Sequence, residues 1–171
     1  MKIILIMATT VDGKIAENVD QPSLDWTSPV DTKFFVKKTK ECGVMIMGNT
    51  TFATIGKPLP GRLSIVLTRD KVLETKSLPG QLEYTTSSPK EIVRNLEARG
   101  YKQAALIGGA TINTLFLKAK CIDEIYLTIE PKIFGEGIGL FRGVPVHVDV
   151  ELAGIEKLGD NVLNVHYIVK K

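Results

Sequence analysis

Cysteine is scarce in this chain: its 171 residues include only Cys42 and Cys121. They stand apart from each other and from the only two histidines, His147 and His166, so neither a disulfide framework nor a zinc-ligand spacing is supported. Both thiols are expected to be reduced and to serve in packing, and no metal is expected. Charge of one sign is also lacking. Twenty-two basic against 19 acidic residues give +3, with no run of five like charges, which argues against a nucleic-acid or membrane-surface partner. The apolar stretch Met1 to Met7 is short and has no small-residue cleavage site, so it reads as a buried first strand of a cytoplasmic protein. No Gly-x-Ser-x-Gly elbow is present, which leaves a hydrolase reading little support. Linkers, repeats and low-complexity segments are absent as well.

What is present suits a single domain over residues 1–171, with 44% hydrophobic and 24% charged residues. Strands are expected at 2–8, 44–48, 63–68, 82–85, 104–108, 123–130, 146–156 and 161–169, rich in Val, Ile, Leu or Tyr and bounded by turn formers. Helices are expected from Pro29 to Glu41, in a short stretch after Asn49, from Pro89 to Arg99, and from Ala110 to Lys118. Ser28-Pro29-Val30-Asp31 and Ser88-Pro89-Lys90-Glu91 both read as an N-cap, a proline at the first helical position and a capping-box acid. Alternation of strands and helices, with several strands apolar on both faces, predicts a three-layer α/β fold. A mostly parallel central sheet should carry helices on both faces, with a C-terminal antiparallel hairpin turning at Leu158-Gly159-Asp160-Asn161.

In such a sheet, ligands bind at the carboxyl ends of strands, and three places there stand out. Gly48-Asn49-Thr50-Thr51 follows an apolar strand and opens a helix with free N–H groups and hydroxyls suited to an anion. Beyond it, Gly56-Lys57-Pro58-Leu59-Pro60-Gly61 makes a stiff loop that delivers Arg62, which can fork onto a carboxylate or form a surface salt bridge. Ile107-Gly108-Gly109-Ala110-Thr111 either lets backbone approach a pyrophosphate or is a plain tight turn; its glycine spacing is not the Rossmann one. Finally, Trp26 to Phe35 places Asp31 among apolar side chains in a first helical turn. There it either caps its own helix or, with its proton affinity raised by burial, grips an amidine-like ring edge as an acid catalyst.

On these residues the whole chain resembles the dihydrofolate reductase superfamily, including the related reductases of riboflavin biosynthesis. MGNTTFATIGKPLPGR is similar to the folate enzymes' Met-Gly, helix, Gly-Lys/Arg-Pro-Leu-Pro-Gly-Arg motif, and Trp26, Pro29, Asp31 and Phe35 match the family's Trp, Pro, acid and Phe in spacing. The resemblance implies that Asp31 binds substrate and directs a proton, with Ala8, Trp26, Phe35, Ile55, Arg62 and Thr128 around the substrate and Thr128 supporting the acid. It implies NADPH as cofactor, against Ile15, Gly48, Asn49, Thr50, Thr51, Thr68, Arg69, Ile107, Gly108, Gly109, Ala110 and Thr111. Arg69 would favour the 2′-phosphate of NADPH, the plain alternative being an exposed, unpaired arginine. The loop from Ile15 to Trp26 would be a lid.

The chain departs from the folate pattern at Asn49 (often arginine), Ala110 (a third glycine) and Asn113 (a common pocket tyrosine). Thr10 to Ala16, Asp123 to Pro131 and Phe134-Gly135-Glu136-Gly137 look more like the riboflavin branch, whose Asp-Pro-rich phosphate segment is nevertheless missing. The implied substrate is a pteridine, dihydrofolate first, with a phosphoribosylamino-pyrimidine second and a non-catalytic nucleotide-binding module third. By analogy with the riboflavin branch, a homodimer is possible.

Overall fold

The structure, a computed structural model, describes residues 1–143, 145 and 147–170. Among the described residues, ten strands and four α-helices follow in the order β1 (Lys2–Thr10), β2 (Lys14–Ala16), α1 (Pro29–Cys42), β3 (Val44–Gly48), α2 (Asn49–Ile55), β4 (Leu63–Leu67), β5 (Leu82–Thr85), α3 (Pro89–Ala98), β6 (Gln103–Leu106), α4 (Ala110–Lys118), β7 (Glu124–Glu130), β8 (Ile138–Gly139), β9 (Val150–Gly159) and β10 (Val162–Val169). Eight strands form one sheet in the order β5-β4-β3-β6-β1-β7-β10-β9. β5 through β7 are parallel, while β10 pairs antiparallel with both β7 and β9.

The strands are apolar on both faces because both are covered. Ile3 and Leu5 of β1 pack with Leu96 of α3 and Phe116 of α4, whereas Ile4 and Ile6 pack with Phe34 of α1 on the opposite face. Alternate side chains of one strand thus feed two separate cores, which is the reason the sequence shows runs here instead of alternation.

Three expectations shift. The strand expected over 146–156 runs instead from Val150 to Gly159, because the Asp160-Asn161 turn pairs it with β10 as far as Val150↔Val169; Val146 lies outside the described residues. The strand expected at 104–108 ends at Leu106, and Gly108 takes φ +94, incompatible with a pleated strand. The expected lid is also partly structured. Its first residues form β2, paired with β8 through Lys14↔Gly139 and Ala16↔Ile138, and Ser23–Asp25 make a 3₁₀ turn.

Candidate functional site

The start of α1 is where the sequence left two readings of Asp31 open. Ser28 is the N-cap, its Oγ accepting from the Asp31 N–H at 3.4 Å. The expected return bond from Asp31 to Ser28 is not formed. One oxygen of Glu130 accepts from the Ser28 N–H at 2.9 Å and from its Oγ–H at 2.7 Å instead. At α3 the same signature closes locally, with Glu91 accepting from the Ser88 N–H and hydroxyl at 2.8 and 2.7 Å. The difference has a physical cause. Glu130 arrives from β7 to occupy Ser28, and aspartate is one methylene shorter than the usual glutamate of a capping box. The Asp31 carboxylate is therefore left to line the main cavity, where it is 9% exposed. Burial raises its pKa; the neighbouring Thr128 and Thr27 hydroxyls counteract this, and the charge of Glu130 reinforces it.

That cavity, about 1130 Å³, opens at the carboxyl ends of β1, β3, β4 and β6. Ala8, Phe35, Ile55 and Arg62 line it together with Asp31. Phe35 lies one helical turn beyond Asp31 and so shares its face of α1. Thr128 and Trp26 stand behind this wall: Thr128 is buried against Asn164, and Trp26 packs edge-on against Phe134 at 5.2 Å between ring centroids. A second acid, Asp70, lines the far end, but it accepts from the Val72 N–H at 2.9 Å and so serves its own turn.

Arg62 is not the surface salt bridge that its sequence context allowed. It is buried, donates from Nη1 to Thr39 Oγ1 at 2.7 Å and from Nε to the Pro60 carbonyl at 3.3 Å, and makes no ion pair among the described residues. Burial lowers its pKa, yet a guanidinium stays charged at neutral pH. A buried cation on a cavity wall without a carboxylate partner is a site for an anionic group.

At the other end, Ile15, Gly48, Asn49, Thr50, Thr51, Thr68, Arg69, Ile107, Gly109, Ala110 and Thr111 line the cavity, and Gly108 stands just behind, its carbonyl accepting from the Gly48 N–H at 2.9 Å. The Gly108–Gly109 peptide is cis. Two glycines are required by packing. A Cβ on Gly48 would meet Ile112 Cγ1 at 2.9 Å, and Gly108 combines φ +94 with Met7 Cε at 3.1 Å. α4 begins with no side-chain cap on Gly109, so its first-turn N–H groups are open to an acceptor. Arg69 is exposed and makes no ion pair among the described residues. Open amides, threonine hydroxyls, one free arginine and the apolar Ile15 and Ile107 fit a phosphate-bearing nucleotide with a flat ring. Among the described residues no group of three or more His, Cys, Asp or Glu offers a metal site, and burial pushes the Cys42 thiol up to about 11.

The three-layer α/β fold, with its cleft across the strand ends, is that of an oxidoreductase. The chain belongs to the dihydrofolate reductase family, whose sequence model matches residues 2–138. It is 32% identical to the dihydrofolate reductase of Haemophilus influenzae over 137 residues, covering 80% of this chain and 77% of that one. Among solved structures, it resembles a protein ascribed to riboflavin biosynthesis from Shewanella sp. PV-4, with TM-score 0.83, 26% identity and complete coverage of both chains. It also resembles the dihydrofolate reductase of Enterococcus faecalis complexed with NADP(H), with TM-score 0.73, 24% identity, and coverage of 99% of this chain and 97% of that one.

Sequence reading missed Glu130 as the true cap of Ser28, Thr27 as a partner of Asp31, and Asn164 behind Thr128. A signal for the first was available. Glu124, Tyr126, Thr128 and Glu130 alternate with Ile125, Leu127 and Ile129, which puts a polar row on the face of β7 beneath α1.

Proposed function

We propose that this protein is an NADPH-dependent reductase that transfers a hydride to a pteridine, reducing dihydrofolate to tetrahydrofolate. The observation that carries this reading is Asp31: a buried carboxylate released from helix capping and facing the cavity. An aminopyrimidine edge presents two parallel N–H donors, and a carboxylate accepts both. Phe35 packs on the ring, and Arg62 forks onto the carboxylate of a glutamyl tail. The raised proton affinity of Asp31 favours protonation of the ring nitrogen beside the carbon that is reduced. NADPH, when bound, supplies the hydride. Asn49, Thr50, Thr51, Thr68 and Arg69 hold its phosphates and ribose, and Ile107 to Thr111 hold its nicotinamide and pyrophosphate side. Ile15 and the segment that follows it exclude water.

A second reading is favoured by one observation. The likeness to the Shewanella protein is stronger than that to the Enterococcus faecalis dihydrofolate reductase, with TM-scores of 0.83 and 0.73. In that case the substrate is a phosphoribosylamino-pyrimidine, and Arg62 meets a phosphate. NADPH oxidation followed by absorbance, with dihydrofolate and with the pyrimidine phosphate offered separately, tests both. Turnover on dihydrofolate is the expected result. Turnover on the pyrimidine alone transfers the assignment to the second reading, and turnover on neither overturns both.

A further inference from the structure

We propose that the groove between α1 and the β9–β10 hairpin is a second binding site, separate from the main cavity, for a small sugar phosphate. The groove measures about 630 Å³, within the span of roughly 300–1,000 Å³ usual for small-molecule sites. One wall is α1, where Val30, Lys33, Phe34 and Lys37 recur at helical spacing and share a face. The floor is the sheet beyond that helix. Tyr126 of β7 stands opposite His166 of β10, and His166 and Asn164 stand opposite Gly154 and Glu156 of β9, which puts all five on one face of the sheet. Gly154 makes the room, because a Cβ built on it meets no atom within 4 Å.

Two of the polar groups lining the groove are already engaged. Lys38 Nζ lies 4.7 Å from the Tyr126 ring centroid and 3.3 Å from Glu41 Oε2, and His166 stacks on Tyr126 at 4.0 Å with its Nε2 3.0 Å from Glu124 Oε2. Lys33, Lys37 and Glu156, by contrast, form no ion pair among the described residues. Asn164 adds an independent sign of a ligand. It is only 3% exposed, and its Nδ2 donates to Thr128 Oγ1 at 3.1 Å, while its Oδ1 has no hydrogen-bond partner among the described residues. A buried amide oxygen beside a cavity is costly unless a bound molecule satisfies it. Two free ammonium groups against one carboxylate select an anion, whereas Glu156 and Asn164 Oδ1, both acceptors, select hydroxyl donors on the same molecule. A phosphate held by Lys33 and Lys37, with sugar hydroxyls donating to Glu156 and Asn164, meets both demands. A bare anion meets only the first. Occupation of this groove does not depend on which substrate the main cavity takes.

The test follows the ring signals of His166 by NMR while glucose 6-phosphate is titrated into the protein at constant pH and ionic strength. With only two histidines in the chain, these signals are assigned by their loss in His166→Gln. They should shift saturably. Gly154→Leu, which fills the groove and leaves every charge in place, should abolish the shift, and joint Lys33→Gln and Lys37→Gln replacement should weaken binding about tenfold or more. Glucose and inorganic phosphate, each alone, should bind at least about tenfold more weakly than glucose 6-phosphate. Arg62→Gln, which alters the main cavity, should leave the shift intact. Absence of a saturable shift overturns the proposal. So does a shift that survives Gly154→Leu, that inorganic phosphate reproduces at the same concentration, or that disappears in Arg62→Gln. If Gly154→Leu does not fold, the exposed Lys33 and Lys37 variants decide instead, and unchanged binding in them overturns the proposal.

Discussion

Ser28 and Glu130, 102 residues apart in sequence, are joined through one carboxylate oxygen that accepts both the backbone N–H and the hydroxyl of the serine, at 2.9 and 2.7 Å. A residue from β7 thereby closes the start of α1, and the acid three residues further on is left to the cavity. Replacing Glu130 by alanine should lower stability by about 1–3 kcal/mol, since it orphans a partly buried N–H. Asp31, freed to turn onto Ser28, should then bind pteridine more weakly. Urea unfolding and ligand titration on the same variant check both effects.

Asp31→Asn should make the protein more stable at neutral pH. The folded state raises the pKa of Asp31 above its ordinary value of 3.8, so the native chain binds the proton more tightly than the unfolded one. Stability is therefore lost as pH rises from that ordinary value through the raised one. The variant escapes this loss. Its melting temperature should exceed the wild type's at pH 7, and the gap should close below the ordinary carboxylate value.

Arg62→Gln should raise KM for dihydrofolate about tenfold or more, with a smaller effect on kcat, because in the proposed function the guanidinium meets a remote part of the substrate. A pteridine lacking the glutamyl tail should show no such change. Steady-state kinetics with the two substrates separate binding of the tail from a general disturbance around Thr39, the present partner of Arg62.

Most of the architecture was legible in the sequence, and the exceptions share a cause. Ser28-Pro29 and Ser88-Pro89 announced two helix starts correctly, because caps are local. The fate of the acid in each motif was not local. Glu91 folds back, while Asp31 is displaced by a carboxylate from a distant strand, and nothing within the four-residue motif distinguishes the two. The same holds for Arg62, whose burial depends on Thr39 of α1 approaching the Pro/Gly loop. The short β2–β8 pair was invisible because neither strand is long enough to carry a period.

Arg69→Gln should weaken NADPH binding about tenfold and leave NADH nearly unaffected. Arg69 lines the cavity and has no ion-pair partner among the described residues, so its charge remains available to a phosphate. Fluorescence titration with the two dinucleotides reads the difference directly.

The role of Asp31 is tested most directly by the single-turnover rate of hydride transfer from NADPH to dihydrofolate, measured against pH for the wild type and Asp31→Asn. The wild-type rate should fall as pH rises through the raised pKa of Asp31. The variant should be slower by about 10²-fold or more at neutral pH and recover toward acid, where solvent protonates the substrate. A variant that matches the wild type at neutral pH would contradict the account.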